Sequence, residues 1–149
     1  MSEPEHPRTR AELEPVLTRY QDELDRAAAE GLRRYEQVFE GPPPGLGAHE
    51  IDHDKVYRRV NRGALAILGY EREDLVGKPV VRFIVMTETS GRSIERKLSG
   101  LVELKPFVRT FVRKDGRSIT LLLLDRHLKD SRGKIVGIRT VFAPVGLEA

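Results

Sequence analysis

Apolar residues step by three or four along the first quarter of the chain, at Leu17, Tyr20, Leu24, Ala27, Gly31, Tyr35 and Val38. This spacing predicts a helix across residues 8–40. Its start is complicated by Pro15. Thr9 and Glu12 have the spacing of a capping box, yet a proline is uncomfortable in the third turn. Either a short turn precedes it or Pro15 takes the first helical position, and the main helix is expected from Pro15 to Phe39. The stripe is more apolar than a lone solvated helix needs, so it has to pack on the rest of the chain or on a second copy of itself. Gly31 in the seam argues against a strict coiled coil. Gly41-Pro42-Pro43-Pro44-Gly45 then ends the helix and marks a boundary.

Beyond the prolines the period shortens. Ala48–Asp52 and Val56–Val60 read as two strands around a His53-Asp54-Lys55 turn. Asn61 can cap a short helix in which Leu65 and Leu68 share a face, with Gly69 as its left-handed exit. Glu71–Val76 make one further turn, stopped by Gly77 with Pro79 just beyond. A polar loop, Thr87-Glu88-Thr89-Ser90-Gly91, leads to a helix over Ser93–Leu98. Three strands follow, Phe107–Arg113, Ser118–Leu124 and Ile135–Phe142, the first two joined at Asp115-Gly116, a short-hairpin signal. Strands, then helices, then strands make an α+β fold.

The run Ile119-Thr120-Leu121-Leu122-Leu123-Leu124 breaks the alternation of a strand with one wet face. Both faces of its sheet need covers. Helices of the domain serve one face; the N-terminal helix, or a partner's sheet, is expected on the other.

Composition narrows the chemistry. With no Cys among 149 residues, disulfides, thiol catalysis and Cys-ligated metals are excluded. No apolar run approaches a membrane span, and MSEPEHPRTR carries no apolar signal core, so a cytoplasmic protein with no membrane partner is expected. Residues 1–40 hold six Arg against ten acids, net −4, whereas 41–149 hold twenty Lys or Arg against thirteen acids, net +7. The basic residues are interleaved with acids and no recognition motif accompanies them, so no nucleic-acid partner is expected.

His49-Glu50-Ile51-Asp52-His53 matches H-E-x-x-H, which binds zinc when both His lie one helical turn apart. On a strand they stand roughly 13 Å apart and cannot share an ion. A small zinc hydrolase built on His49, Glu50 and His53 is therefore the lesser reading, with no metal expected. Ser118, Asp125 and His127 lack a nucleophile elbow, and no phosphate-binding glycine loop is present. No catalytic residue is assigned, and His49, His53 and His127 are read as solvated.

Asn61, Gly69, Tyr70, Glu73, Leu75, Gly77 and Lys78, followed by Lys114-Asp115-Gly116 and by Asp130, Gly133 and Gly137, resemble the signature of the PAS sensor-domain family over about residues 46–145. The resemblance implies a five-stranded antiparallel sheet cradling short helices around a small internal cavity. Here that fold would be preceded by the long N-terminal helix. It divides the chain into a dimerisation and signal helix, 1–41, a linker, 42–47, and a sensor domain, 48–145. It also implies a non-enzymatic sensory module. The light-sensing branches attach a chromophore through Cys, and the haem branch uses a His on the helix here occupied by Ser93–Leu98, which has none; neither haem nor flavin is expected. The expected ligand is small and mostly apolar, lined by Leu65, Leu68, Phe83, Ile84, Ile94, Leu98, Phe111 and Leu123. Lys78, Arg92, Arg96 and Lys97 are candidates to hold an anionic group at its mouth.

The expected assembly is a homodimer through Leu17, Tyr20, Leu24, Ala27, Tyr35 and Val38, with a signalling protein such as a kinase or regulator as a further partner. Because only four residues follow Val145, the chain reads either as a module that acts by binding another protein or as part of a larger receptor. The alternative function is a purely structural dimerisation domain with a filled core.

Overall fold

The computed structural model describes residues 8–146; the segment 1–7, which forms most of the N-terminus read for a signal core, and residues 147–149 lie outside it. Thr9 opens α1 (Arg10–Glu30) with a closed capping box. Its side chain accepts from the Glu12 N–H while its own N–H donates to the Glu12 carboxylate at 2.9 Å. The helix therefore begins at Arg10 and carries Pro15 inside it, instead of starting at Pro15. Proline removes the donor that the Ala11 carbonyl needs, but both residues are exposed and water can replace it.

A second correction lies at Gly31. Its φ of 130° ends α1 and starts α2 (Leu32–Glu40), a backbone state that side chains strongly disfavour. The helix expected to run to Phe39 is a helical hairpin. Tyr20 closes it, its hydroxyl lying 2.8 Å from the Val38 carbonyl and 3.0 Å from the Phe39 carbonyl.

Five antiparallel strands follow: β1 (Gly47–Asp52), β2 (Tyr57–Val60), β3 (Phe107–Val112), β4 (Ser118–Lys129) and β5 (Ile135–Pro144). They form the expected five-stranded antiparallel sheet, in the order β2-β1-β5-β4-β3, with β5 at the centre. β4 runs five residues past Leu124, because Asp125 and Arg126 find partners on opposite faces of the sheet. Between β2 and β3 lie α3 (Arg62–Leu68), α4 (Arg72–Leu75), a 3-10 turn at Val80–Phe83, and α5 (Thr87–Leu98). α5 starts six residues before Ser93. The Thr, Ser and Gly that suggested a loop form its first turns, with Ser90 and Ile94 packed inward. Tertiary packing has overridden weak helix propensity there.

The sheet separates two apolar layers. On its inner face α3, α4 and α5 join Ile51, Tyr57, Leu121, Leu123, Ile138 and Phe142. On its outer face Leu13, Leu17, Tyr20, Leu24, Tyr35 and Phe39 of the hairpin pack on Ala48, Leu122, Leu124, Val141 and Ala143. The leucine run is thereby explained, since Leu121 and Leu123 face one layer and Leu122 and Leu124 the other. The cover is the chain's own hairpin. Leu17, Tyr20, Leu24 and Ala27 are at most 2% exposed, Tyr35 is buried and Val38 packs against the same layer. A dimer built on these six side chains requires the hairpin to leave the sheet.

Candidate functional site

The corner that carries the motif is bolted by Asn61. Its Oδ1 accepts from the Ala64 N–H at 2.9 Å, which caps α3, and also from the Ala48 N–H at 2.9 Å. Its Nδ2 donates to the Phe39 carbonyl at 2.8 Å, so one fully buried side chain joins α2, β1 and α3. Gly69 and Gly77, with φ of 78° and 87°, make the two left-handed exits. Gly116, with φ of 87°, completes the β3–β4 hairpin, where Asp115 Oδ1 accepts from the Arg117 N–H at 2.9 Å. These are fold-making positions.

The eight apolar ligand candidates come together. Leu68, Phe83, Ile84, Ile94, Phe111 and Leu123 belong to the inner layer, with Leu65 and Leu98 packed against it.

What the sequence reading passed over is a polar row on the same inner face. His49 of β1 stands opposite Thr140 of β5, and Thr140 stands opposite Asp125 of β4. Thr140 Oγ1 donates to Asp125 Oδ1 at 2.6 Å, and Lys97 Nζ of α5 donates to Asp125 Oδ2 at 3.0 Å. The ammonium also sits 3.2 Å from the centroid of the Phe107 ring. Burial lowers the Lys97 pKa, while the Asp125 carboxylate pulls it back up. His127, two residues along β4, places its ring Nε2 2.7 Å from the Lys97 carbonyl.

His49 ends the row. It is 3% exposed and wedged between Tyr57, whose ring meets it edge-on at 5.0 Å, and Phe142 at 5.3 Å. Burial pushes its pKa down to about 4, with Asp125 opposing and Arg109 assisting, so the imidazole is neutral at neutral pH. Among the described residues neither His49 Nδ1 nor the buried Tyr57 hydroxyl has a hydrogen-bond partner. Each orphan costs about 1–3 kcal/mol unless something supplies the missing bond.

The other candidates are not brought together. His49 is buried rather than solvated, Glu50 lies on the outer face where Tyr35 donates to it, and His53 is in the exposed turn beside Asp54. Among the described residues no group of three potential metal ligands assembles. Asp125 is buried and His127 half-buried, neither of them a surface residue, while exposed Ser118 begins the same strand and is roughly 23 Å from Asp125 at strand rise. Of the basic candidates only Lys97 enters the row: Arg92 pairs with exposed Glu88, Lys78 bonds the Glu73 carbonyl and Arg96 is exposed. A signal for the row was present. His49 shares strand parity with Ile51, Asp125 with Leu121 and Leu123, and Thr140 with Ile138 and Phe142.

A family model described as PAS domain matches residues 47–143. No curated protein matches the sequence. The chain is similar in structure to the PAS domain of an HTR-like protein from Haloarcula marismortui, with a TM-score of 0.62 at 20% identity, covering 86% of this chain and 99% of that one. It is also similar to the PAS domain of a protein from Colwellia psychrerythraea, with a TM-score of 0.66 at 16% identity, covering 76% and 96% of the two chains. The light-state structure of the blue-light photoreceptor Aureochrome1 LOV has a TM-score of 0.56 at 20% identity, covering 67% of this chain and 81% of that one. At these identities the likeness is one of fold.

Proposed function

Because the chain belongs to the PAS domain family, we propose that it is a non-enzymatic sensory module that takes a small ligand against the inner face of its sheet. The observation that carries this reading is the pair of orphaned polar atoms, His49 Nδ1 and the Tyr57 hydroxyl, beside the Thr140–Asp125–Lys97 cluster. A core built only to be filled would gain by replacing both with apolar side chains of similar shape. The neutral imidazole and the phenol instead offer a donor and an acceptor to a guest.

The output we assign to the α1–α2 hairpin. Strands that touch the ligand on one face touch the hairpin on the other, so a small shift in the sheet changes how the hairpin packs. Its recipient is a second copy of the chain or a signalling protein. We assign no haem, flavin or metal to the site. The second reading, a purely structural domain, is favoured by the mutual packing of the eight apolar candidates.

Native mass spectrometry of the purified chain, with its denatured mass as control and a thermal-shift panel of small metabolites beside it, separates these readings. Excess mass that vanishes on denaturation, or stabilisation that disappears in His49→Phe/Tyr57→Phe, is the expected result. Bare polypeptide mass together with no stabilisation by any compound supports the structural domain.

A further inference from the structure

The inner-face cluster is not charge-balanced. Asp125 is shared by Lys97, which bonds it, and by Arg109, which it attracts without pairing. Arg109 stands on the edge strand β3, its guanidinium 4.7 Å from the Phe107 ring centroid, and among the described residues it joins no ion pair. Burial lowers its pKa and Asp125 offsets this, so the guanidinium keeps its charge in a partly desolvated place. His49 is neutral, so two cations face one carboxylate.

Arg109 also lines a groove of about 350 Å³ between β3 and the N-terminal half of α5. Val85, Met86 and Phe107 supply apolar walls, Ser90 and Ser93 supply hydroxyls, and among the described residues no acidic one lines it. The first turn of α5 opens into the same groove. Met86, its N-cap, has a φ of 59° and makes no side-chain cap, while Glu88 in the first turn already answers the positive end of the helix, so the Arg109 guanidinium is the groove's cationic group.

Resting on the ligand-binding reading above, we propose that the ligand is an amphipathic monoanion, an aliphatic or aromatic carboxylate. Its carboxylate is held by Arg109 at the groove between α5 and β3, and its apolar body lies against Val85, Met86 and Phe107 of that groove. Arg109 can meet a carboxylate with two parallel N–H donors, and one negative charge balances the cluster. A dianion overshoots that balance, and a neutral molecule leaves the guanidinium unpaired.

The test is calorimetric titration of the full chain with octanoate and benzoate, each against its neutral amide, octanamide and benzamide. Wild type is compared with Arg109→Gln and Arg109→Lys, each checked for unchanged circular dichroism and melting temperature. Acids are expected to bind at least roughly tenfold more tightly than amides, since the amide lacks the negative charge and the second acceptor oxygen that the guanidinium pairs with. Arg109→Gln removes that advantage, weakening the acids far more than the amides, and Arg109→Lys restores part of it. Amides that bind as well as acids, or acids indifferent to Arg109→Gln, overturn the anion assignment and leave the ligand-binding reading standing. No heat from any of the four overturns it too; a neutral compound found by mass spectrometry in the same protein shows that the ligand reading survives.

Discussion

Gln21 of α1 and Arg139 of β5 meet in the layer between the hairpin and the outer face of the sheet, both almost wholly buried. Gln21 Oε1 accepts from Arg139 Nε at 2.7 Å, and Gln21 Nε2 donates to the Leu124 and Arg139 carbonyls at 2.8 and 3.0 Å. Asp25 completes the pairing of the guanidinium. Apolar contact alone would let a helix slide on a leucine-rich surface; this polar latch sets its register.

Gln21→Leu leaves Arg139 without its Nε acceptor in a desolvated place, and we expect it to cost about 2–4 kcal/mol. Adding Arg139→Met, which removes the orphaned charge, is expected to recover most of that loss. Urea denaturation of the two variants measures both, and hydrogen exchange along α1 should quicken in the single variant. A single variant as stable as wild type would show that the latch contributes nothing.

Asn61→Ala removes the α3 cap, the bond from Ala48 and the donor to Phe39 together. The expected destabilisation is about 2–4 kcal/mol, larger than the ~1 kcal/mol of an ordinary helix cap. Asn61→Asp keeps the acceptor and loses the donor, so its denaturation midpoint should differ from both. A loss of only a cap's worth in Asn61→Ala would mean that the links to α2 and β1 are energetically idle.

His49 makes stability depend on pH. Its folded pKa of about 4 lies below the ordinary value of 6.5, so the unfolded chain binds the proton more readily. This contribution is complete above pH 6.5 and is lost as pH falls towards 4. Between pH 7.5 and 5 the loss should be about 2 kcal/mol, and His49→Phe should lack that component. Equal slopes for the two proteins in paired denaturation curves would rule out a buried neutral His49.

Gly137 lies where β5 passes β1, and a Cβ there would run into the Ile51 carbonyl. Gly137→Ala is expected to cost about 1–3 kcal/mol through displacement of β1. Because His49 is on that strand, the variant should also weaken any ligand bound at the inner face. Calorimetric melting with and without ligand tests the two effects; a melting temperature equal to wild type would place no strain at this crossing.

Much of the architecture was legible because it is written in local chemistry. Asn61, Gly69, Gly77 and Asp115-Gly116 mark their turns by backbone requirements that need no knowledge of the rest of the chain. Ile119–Leu124 announced a sheet covered on both faces. Residues 87–91 were hidden for the complementary reason, since weak helix formers become helical only when Ser90 and Ile94 find the inner layer to pack on.

The amino-acid sequence by itself determined the turns, the strand periods and the PAS signature, all of which depend on residues close together in the chain, and its lack of Cys excluded thiol chemistry. Tertiary structure alone decided that the N-terminal helix breaks at Gly31 and covers its own sheet, and that His49, Thr140 and Asp125 line up beneath Lys97. Strand parity places a residue on a face, but register between distant strands sets which polar side chains meet there. That register follows from burying both apolar faces of the sheet at once.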